Sequence, residues 1–427
     1  MTRQDRADRE RERLRQDSAQ LGPASRAPGL PRLLWMPLML APVLGWFQAL
    51  CTLWAAVMAV FQHGVRHAAT QALRGPSRLI PMVALCWWAS LLIAEMASQQ
   101  PAAWWTALRF LLVIVPACAL IPVFNDAGVT HEQIGRWARV SVWVTTCVVG
   151  LEYVVTVHGA GLAHHRPRAL SGNALFVATM LVPMMMLSWL DPLPRNGHAW
   201  AWRWATHGVG VFCLSALLGA RTSTLVAVVL TPLPLLWLRR GGWRVREWVA
   251  LAGCAALVAS LAFVGAKTSA WYGERWDALL ALLTSADLSS VTDYGTATRA
   301  QHWPAAWHAF LKQPWLGYGF LQEHSVLVQH LPAGAPVLPT AHQQFLSFLL
   351  WAGLPGLLTG GLFIALPVLL AWRNRRGRVA LYAATALSLP LMLHGLTDTL
   401  LDDLRIVSFH LMMTVLLNAA IEPSVET

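Results

Sequence analysis

The fold is decided at the sequence PTAHQQFL, residues 339–346, where a polar segment ends and a long apolar run begins. The polar segment extends from Lys267 to His342, and apolar runs lie on both sides of it. It contains both lysines of the chain, Lys267 and Lys312, together with five histidines. Because polar chemistry is concentrated here, we expect functional residues in or near this segment.

The composition indicates an all-α polytopic membrane protein. Of the 427 residues, 56% are hydrophobic and only 12% are charged, which is too little charge to cover a soluble surface. The formal net charge of +11 comes from short basic clusters between apolar runs. Such clusters are typical of loops that orient a membrane protein and do not predict nucleic-acid binding. The six cysteines lie inside apolar runs, so they predict core residues and no disulfide framework.

Apolar runs of about 20 residues predict about twelve transmembrane helices. The first run, Leu33–Phe61, is long enough for two short helices with a turn near Gly45, and it is longer than the apolar core of a signal peptide. The other predicted spans are Leu79–Ala97, Trp104–Phe124, Trp137–Val157, Ala174–Leu190, Trp200–Leu218, Thr222–Leu238, Trp248–Ala266, Phe345–Trp372, Ala380–His394 and Ile406–Ala420. We therefore divide the chain into a basic cytoplasmic tail (1–30), helices 1–9 (31–266), a large loop (267–342), helices 10–12 (343–420) and a short cytoplasmic tail (421–427).

Arginines in the links orient these helices, because Lys and Arg near span ends favour the cytoplasm. With the chain starting inside, the cytoplasmic links hold Arg66, Arg74, Arg78, Arg136, Arg139, Arg195, Arg203, Arg239, Arg240, Arg244, Arg246, Arg373, Arg375, Arg376 and Arg378. The loop 267–342 then lies on the outer side. A second set of arginines falls on that side against the rule, namely Arg166, Arg168, Arg221, Arg275 and Arg299.

The outer arginines suit the binding of a phosphate or pyrophosphate at headgroup level, because the guanidinium pairs bidentately with phosphate oxygens. For Arg221, at the mouth of a helix, the alternative is snorkelling of the side chain to lipid headgroups. The carboxylates of the loop are scattered and contain no Asp-x-Asp pair. We therefore expect no metal at the site, and arginine alone would neutralise the phosphate.

The loop histidines do not have the spacing of a metal site. The pairs His302/His308 and His324/His330 are each six residues apart, which does not place two ligands on one helical face. Residues 298–311 instead predict an amphipathic helix with an aromatic stripe. Such a helix would lie on the outer leaflet or over a cavity, and its stripe serves either packing or ligand stacking.

His342 directly precedes a long apolar helix, which places it at the boundary between membrane and water. An imidazole at this position can accept a proton from a hydroxyl group near neutral pH. The alternative is a solvated histidine at a helix start without a chemical role.

A series of motifs lies in order along the central half of the chain: residues 166–173 (RPRALSGN), 219–223 (GARTS), Arg299 with Trp303, 313–319 (QPWLGYG), 341–346 (AHQQFL) and 353–356 (GLPG). Together these motifs resemble the superfamily of O-antigen ligases and O-antigen polymerases, which are bacterial membrane glycosyltransferases of the GT-C type. Two departures are Gln343, where asparagine commonly follows the histidine, and Asn173, which lacks the usual downstream Pro-Asn.

The resemblance implies an inverting, metal-independent glycosyltransferase without a cofactor, facing the periplasm in the bacterial inner membrane. The donor would be a glycan on undecaprenyl pyrophosphate, and the acceptor a lipid A-core sugar in a ligase or a second lipid-linked glycan in a polymerase. We expect His342 and Arg221 to be catalytic, and Arg166, Arg168, Arg221 and Arg299 to bind the pyrophosphate. The single large loop, the basic tail and the chain length favour the ligase.

A transporter or flippase of lipid-linked glycans is the alternative from a different class. It predicts charged residues at mid-membrane depth along a pathway, whereas the predicted spans contain few charges besides Glu95, Arg109 and Glu152. The acidic cluster formed by Asp398, Asp402 and Asp403 near a link is interpreted as an outer-surface or helix-capping group.

Overall fold

The computed structural model describes residues 38–63, 76–98, 103–159, 167–169, 173–190, 197–238, 294–333, 335, 337–374 and 376–420, with isolated positions at 70, 73, 252, 253, 256 and 260. The described α-helices are numbered in chain order. These are α1 (Ala41–Leu44), α2 (Trp46–His63), α3 (Leu79–Ala97), α4 (Ala103–Leu108), α5 (Leu111–Ala119), α6 (Ile121–Asp126), α7 (His131–Tyr153), α8 (Ala174–Leu187), α9 (Gly197–Phe212), α10 (Arg221–Leu230), α11 (Leu233–Leu238), α12 (Tyr294–Lys312), α13 (Glu323–His330), α14 (Gln344–Arg373), α15 (Arg378–Gly395) and α16 (Leu404–Ala419).

The described residues form a helical membrane protein with several spans. By length and composition, four stretches can cross a membrane: Leu79–Ala97, Trp105–Asp126, His131–Thr156 and Gln344–Arg373. Shorter apolar helices are Trp46–Val60, Ala174–Leu187, Arg221–Trp237 and Leu404–Ala419. The predicted number of twelve spans is not confirmed. The predicted span Trp248–Ala266 lies outside the described residues apart from isolated positions.

Helix bounds follow the sequence where a residue breaks the helix. Helix α3 has the predicted bounds, and Gly45, with a φ of 50°, separates α1 from α2 near the expected turn. The predicted span Trp104–Phe124 is divided by turns after α4 and at Leu120 into α4, α5 and α6. Pro122 lies in the first turn of α6, where its missing N–H is not needed.

The core around α14 is aromatic. Trp87 of α3 stacks on Phe363 with ring centroids 4.5 Å apart and meets Phe110 and Phe348 edge to face at 5.3 and 6.4 Å. All four side chains are buried. Gly360 makes room for this packing, because a Cβ there would lie 2.5 Å from the ring of Phe348.

Helix α14 is bent near Gly353, where the backbone leaves the helical conformation. The bend frees the carbonyl of Leu350 from the amide of Leu354, and Pro355 has no N–H to offer the carbonyl of Trp351. The amide of Tyr318 donates to the carbonyl of Leu350 at 2.7 Å, and the amide of Gly319 donates to the carbonyl of Trp351 at 3.0 Å. The segment after α12 therefore supplies the donors that the bend requires.

Two glycines allow the backbones to approach at this bend. Gly317 and Gly353 both have a φ of 64°, in the left-handed region that favours glycine. A Cβ at Gly317 would lie 2.6 Å from the carbonyl oxygen of Leu350, and one at Gly353 would lie 2.5 Å from that of Pro314. The motifs 313–319 and 353–356, which are separate in the sequence, thus form one structural unit.

The antiparallel helices α14, α15 and α16 have two polar ends. We call one the Arg376 end; it contains Arg376, Asn374, Asn418 and Ser77. We call the other the His342 end; it contains His342 and the link 396–403 between α15 and α16. Helix α3 extends from the Arg376 end toward the His342 end. The side chain of Asn418 donates to Ser77, just before α3, at 3.0 Å. Glu95, near the other terminus of α3, accepts from the amide of Leu321 at 3.2 Å.

Candidate functional site

His342 lies in the turn before α14, and its backbone is left-handed with a φ of 51°. This conformation costs a non-glycine residue about 1–3 kcal/mol and is concentrated at functional sites. Imidazole Nδ1 lies 2.9 Å from Oδ1 of Asp398, in the link 396–403. The two side chains are 23% and 14% exposed, so the pair is largely shielded and still accessible from one side.

Arg299 on α12 approaches the same carboxylate from a third segment of the chain. Its Nη2 lies 3.8 Å from Oδ2 of Asp398, and its side chain is 29% exposed. Asp398 therefore lies between a guanidinium and an imidazole. Of the predicted site residues, the structure brings Arg299 and His342 together at this carboxylate.

Arg221 is the first residue of α10, and the first turn of that helix is bonded to the His342 end. Thr222 Oγ1 lies 3.0 Å from the hydroxyl of Thr397, the residue before Asp398. Ser223 Oγ lies 2.8 Å from Nε2 of His394, near the end of α15. Arg221 thus lies in the chain next to residues that contact the His342 end.

Arg168 lies in a turn that is bonded to α7. Its amide lies 3.0 Å from both carboxylate oxygens of Glu152, and the amide of Ala169 donates to Oε2 at 2.7 Å. Ala169 has a φ of 46°, so the turn is strained. The described contacts join Arg168 to α7, and its place beside a pyrophosphate stays a prediction. Arg166 and Arg275 lie outside the described residues.

The carboxylate of Glu323 is buried beneath His342. It accepts hydrogen bonds from the amide of Ala341 at 2.7 Å, the hydroxyl of Ser347 at 2.7 Å and the indole of Trp351 at 2.6 Å. Burial raises the pKa of Glu323, while these three donors and the nearby His342 lower it in part. Three donors on one carboxylate identify it as a structural acceptor.

Two histidines contact the backbone of Leu338, four residues before His342. Nε2 of His302 accepts from the amide of Leu338 at 3.0 Å, while Nδ1 of His302 bonds to the carbonyl of Thr298 at 2.7 Å. Nδ1 of His324 lies 3.2 Å from the carbonyl of Leu338. Burial lowers the pKa of His302, and the neighbouring His342 and His324 add to this effect. His302 therefore binds the loop in its neutral form.

Further charges lie in the link 396–403 and next to it. Burial raises the pKa of Asp402 to about 7, and the carboxylates of Asp403, Glu323 and Asp398 add to the rise. A guanidinium nitrogen of Arg109 donates to the carbonyl of Asp402 at 3.2 Å. Glu95 contacts the segment after α12. Glu152 fixes the turn at Arg168. Glu95 and Arg109 therefore lie at or beside the His342 end, and Glu152 supports a predicted site segment.

Sequence reasoning missed the roles of Asp398 and Glu323. The capping interpretation holds for Asp403, which accepts from the amide of Arg405 at the start of α16. Asp398 differs, because it pairs with His342. Glu323 was one of the scattered loop acids. The available signal was the position of the acidic link, which the predicted topology puts on the same side as the outer arginines. Within the part of the chain that the structure describes, no three His, Cys, Asp or Glu residues are grouped as metal ligands.

These observations define a polytopic helical membrane protein with a histidine–aspartate–arginine cluster at one end of its bundle. A model of the O-antigen ligase family matches residues 208–360, a range that contains Arg221, Arg299 and His342. This match, which covers about a third of the chain, supports membership of the O-antigen ligase family. No curated protein matches the sequence. The resemblance expected from the motifs is thus confirmed at the level of the family.

Proposed function

We propose that the protein is the ligase that transfers O-antigen glycan from undecaprenyl pyrophosphate to a sugar hydroxyl of the lipid A core, at the periplasmic face of the inner membrane. The observation that carries this proposal is the contact of two residues inside the region matched by the family, His342 and Arg299, with the carboxylate of Asp398. The reaction is a single displacement with inversion at the anomeric carbon and needs no metal.

The hydrogen bond to Asp398 prepares His342 to act as a base. A carboxylate accepts, so Nδ1 of the imidazole carries the proton in this 2.9 Å contact. The other ring nitrogen, Nε2, is then the acceptor for the hydroxyl proton of the acceptor sugar. Asp398 also stabilises the imidazolium that forms. This arrangement of base and orienting carboxylate is worth about 10²–10⁴-fold in rate.

The arginines stabilise the leaving group. As the bond between the acceptor oxygen and the anomeric carbon forms, the bond from that carbon to the pyrophosphate oxygen breaks, and undecaprenyl pyrophosphate leaves. Negative charge develops on the phosphate, and guanidinium groups stabilise it electrostatically without proton transfer. We assign this role to Arg299 and Arg221, with Arg166 and Arg168 as further ligands from the outer loop.

The transporter alternative is less well supported by the distribution of charge. A translocation path needs charged groups at mid-membrane depth. Glu95 is the third-last residue of α3, and Glu152 is the second-last residue of α7. Arg109 directly follows the last residue of α4. These positions at helix ends favour a site at one membrane face.

The test is transfer by the purified protein in detergent or liposomes. The substrates are undecaprenyl-pyrophosphate-linked glycan and lipid A core, in the presence of excess chelator. We expect a product of inverted anomeric configuration and an activity that rises with pH, as a general-base mechanism requires. Activity restored only by added magnesium, or a product of retained configuration, would contradict the mechanism. An activity that falls with rising pH would instead assign the charged imidazole to binding the pyrophosphate.

Deletion of the gene separates ligase from polymerase. A lipid A core that carries no O-antigen supports the ligase, whereas a core with one repeat unit indicates the polymerase. Cysteine labelling tests which side the site faces. In a background without native cysteines, Val328→Cys and Arg373→Cys, both at exposed positions, should react on opposite sides with an impermeant thiol reagent. Labelling on the same side would contradict the periplasmic position of the His342 end.

A further inference from the structure

One buried carboxylate, that of Glu323, accepts hydrogen bonds from the residues on both sides of the His342 turn. Glu323 Oε1 accepts from the amide of Ala341, the residue before His342, and from the hydroxyl of Ser347 in the first turn of α14. Glu323 is 2% exposed and is not part of the His342–Asp398 contact. Because Glu323 is bonded both to the His342 turn and to the first turn of α14, it fixes the position of the turn relative to the helix.

The same network continues to Asp398. The hydroxyl of Ser347 lies 2.9 Å from that of Thr399, and the amide of Thr399 lies 3.1 Å from Oδ1 of Asp398. Together with the contact between Asp398 and His342, and through the chain at residues 341–342 and 399, these bonds connect Glu323 to both members of the pair. Several hydrogen bonds in a low-dielectric interior hold side chains more firmly than a single bond does.

The left-handed backbone of His342 explains why such support is needed. A strained conformation persists only where the surroundings determine it. The donors to Glu323 lie on both sides of the strained residue, at Ala341 before it and at Ser347 and Trp351 after it. A carboxylate suits this task, because it is acceptor-only and offers about four lone-pair sites. An uncompensated buried charge would be costly, so Glu323 at this position indicates a specific role.

We propose that Glu323 is a positioning residue, which holds the turn of His342 so that the imidazole meets Asp398 in the geometry needed for proton transfer. This inference rests on the proposed function for its catalytic consequence. The structural part of it, the tether from Glu323 to the amide of Ala341, can be tested without any substrate. Glu323 does not contact the substrates, so its loss should affect turnover more than donor binding.

The test substitution is Glu323→Gln, which keeps the shape and replaces one acceptor oxygen by an NH₂ group. Because all three partners of Glu323 donate, the NH₂ group of the glutamine faces another donor whichever way the amide is turned, and it cannot accept a hydrogen bond there. In the double variant Glu323→Gln/Trp351→Phe, the indole donor is gone. The amide oxygen can then accept from Ala341 and Ser347 without a clash. Trp351→Phe alone is the reference, and Glu132→Gln, the same chemical change at an exposed ion pair, is the matched control.

We expect kcat of Glu323→Gln to fall about tenfold or more, with KM for the lipid-linked donor within about twofold of wild type. In the double variant, kcat should return to within about threefold of Trp351→Phe. A Glu323→Gln enzyme with wild-type kcat, or a changed KM alone, would overturn the proposal. If Glu323→Gln does not accumulate in the membrane, the double variant carries the test. A double variant without recovery then contradicts the proposal.

Hydrogen exchange of the peptide that covers residues 338–346 tests the tether from Glu323 to Ala341 separately from its effect on catalysis. The amide of Ala341 should be protected in wild type and should exchange faster in Glu323→Gln, while Glu132→Gln leaves it unchanged. Unchanged protection in Glu323→Gln would overturn the tether. Loss of protection together with a wild-type protein that transfers no glycan would reject the proposed function and support the tether.

Discussion

The two polar ends of the α14–α16 bundle use arginine in different ways. At the Arg376 end, the guanidinium donates to the carbonyls of Leu417 and Ala420 at 3.3 and 3.0 Å and also to that of Asn418. These carbonyls belong to the last turn of α16 and to the residue that follows the helix. Carbonyls at a helix C-terminus have no amide donor within the helix. At the His342 end, Arg299 meets a side-chain carboxylate that also pairs with a histidine. An arginine bonded to a helix terminus stabilises the fold, whereas one in a cluster of charged side chains from separate segments indicates a site.

Substitution at both ends gives the largest difference. His342→Gln should lose about 10²–10⁴-fold in kcat, because it removes the base, and should keep its thermal stability. Arg376→Ala should show the reverse, since it removes charged hydrogen bonds worth about 1–3 kcal/mol of unfolding free energy and leaves turnover unchanged. Glycan transfer and thermal unfolding are measured on the same preparations. Near-normal transfer by His342→Gln would exclude a chemical role for this residue.

Arg299→Lys should have an intermediate effect. Lysine keeps the charge but loses the planar fork that pairs bidentately with a phosphate, so we expect a loss of about 10–100-fold in kcat/KM. Arg376→Lys is the matched control at the other end and should transfer glycan normally. The comparison would fail if both lysine variants lost activity equally, because arginine geometry would then matter at each end.

Asp402→Asn should change stability in a way that depends on pH. Burial raises the pKa of Asp402 in the fold from its ordinary value of 3.8 to about 7. An acid whose pKa is raised by folding contributes its full stability below its unfolded pKa. This contribution is lost as the pH rises toward the folded pKa of about 7. The variant cannot ionise, so its unfolding temperature should exceed that of wild type by about 2–4 °C or more at pH 8. The difference should shrink toward pH 4. A constant difference across this range would argue against the raised pKa.

The smallest effect is expected for Glu132→Gln. Glu132 and Arg136 form a solvent-exposed ion pair with a distance of 2.6 Å between Oε1 and Nη2, and the two residues are one helical turn apart. Such pairs contribute about 0.3–0.5 kcal/mol. Transfer activity should equal that of wild type, and the unfolding temperature should change by less than a degree or two. A marked loss of activity would mean that charge outside the His342 end also affects the reaction.

The sequence was sufficient for the helical class and for part of the site. Periodic apolar runs and breakers such as Gly45 act locally, so they predict helices and turns from neighbouring residues alone. His342 and Arg299 could be predicted because both lie in recognisable motifs. The number of spans was not confirmed, since only four stretches of the described residues are long and apolar enough to cross a membrane, and the predicted span Trp248–Ala266 lies outside the described residues apart from isolated positions.

Asp398 and Glu323 could not be assigned from the sequence, because their partners are distant in the chain. Asp398 is 56 residues from His342, and the donors to Glu323 lie 18, 24 and 28 residues away. An acidic link between two apolar helices has the same local pattern whether it caps a helix or completes a site. Only the packing of α14 against α15 distinguishes the two.

The bend of α14 has a consequence for how the protein matures. Inside a bilayer, an unpaired backbone carbonyl costs several kcal/mol. Pro355 has no N–H for the carbonyl of Trp351 even in a straight helix, and the bend removes the amide of Leu354 from the carbonyl of Leu350, so both carbonyls depend on the amides of Tyr318 and Gly319. We therefore expect the segment 313–319 to fold onto α14 in the same step in which this helix takes its bent form, and the His342 turn at the start of the helix to reach its final position only then.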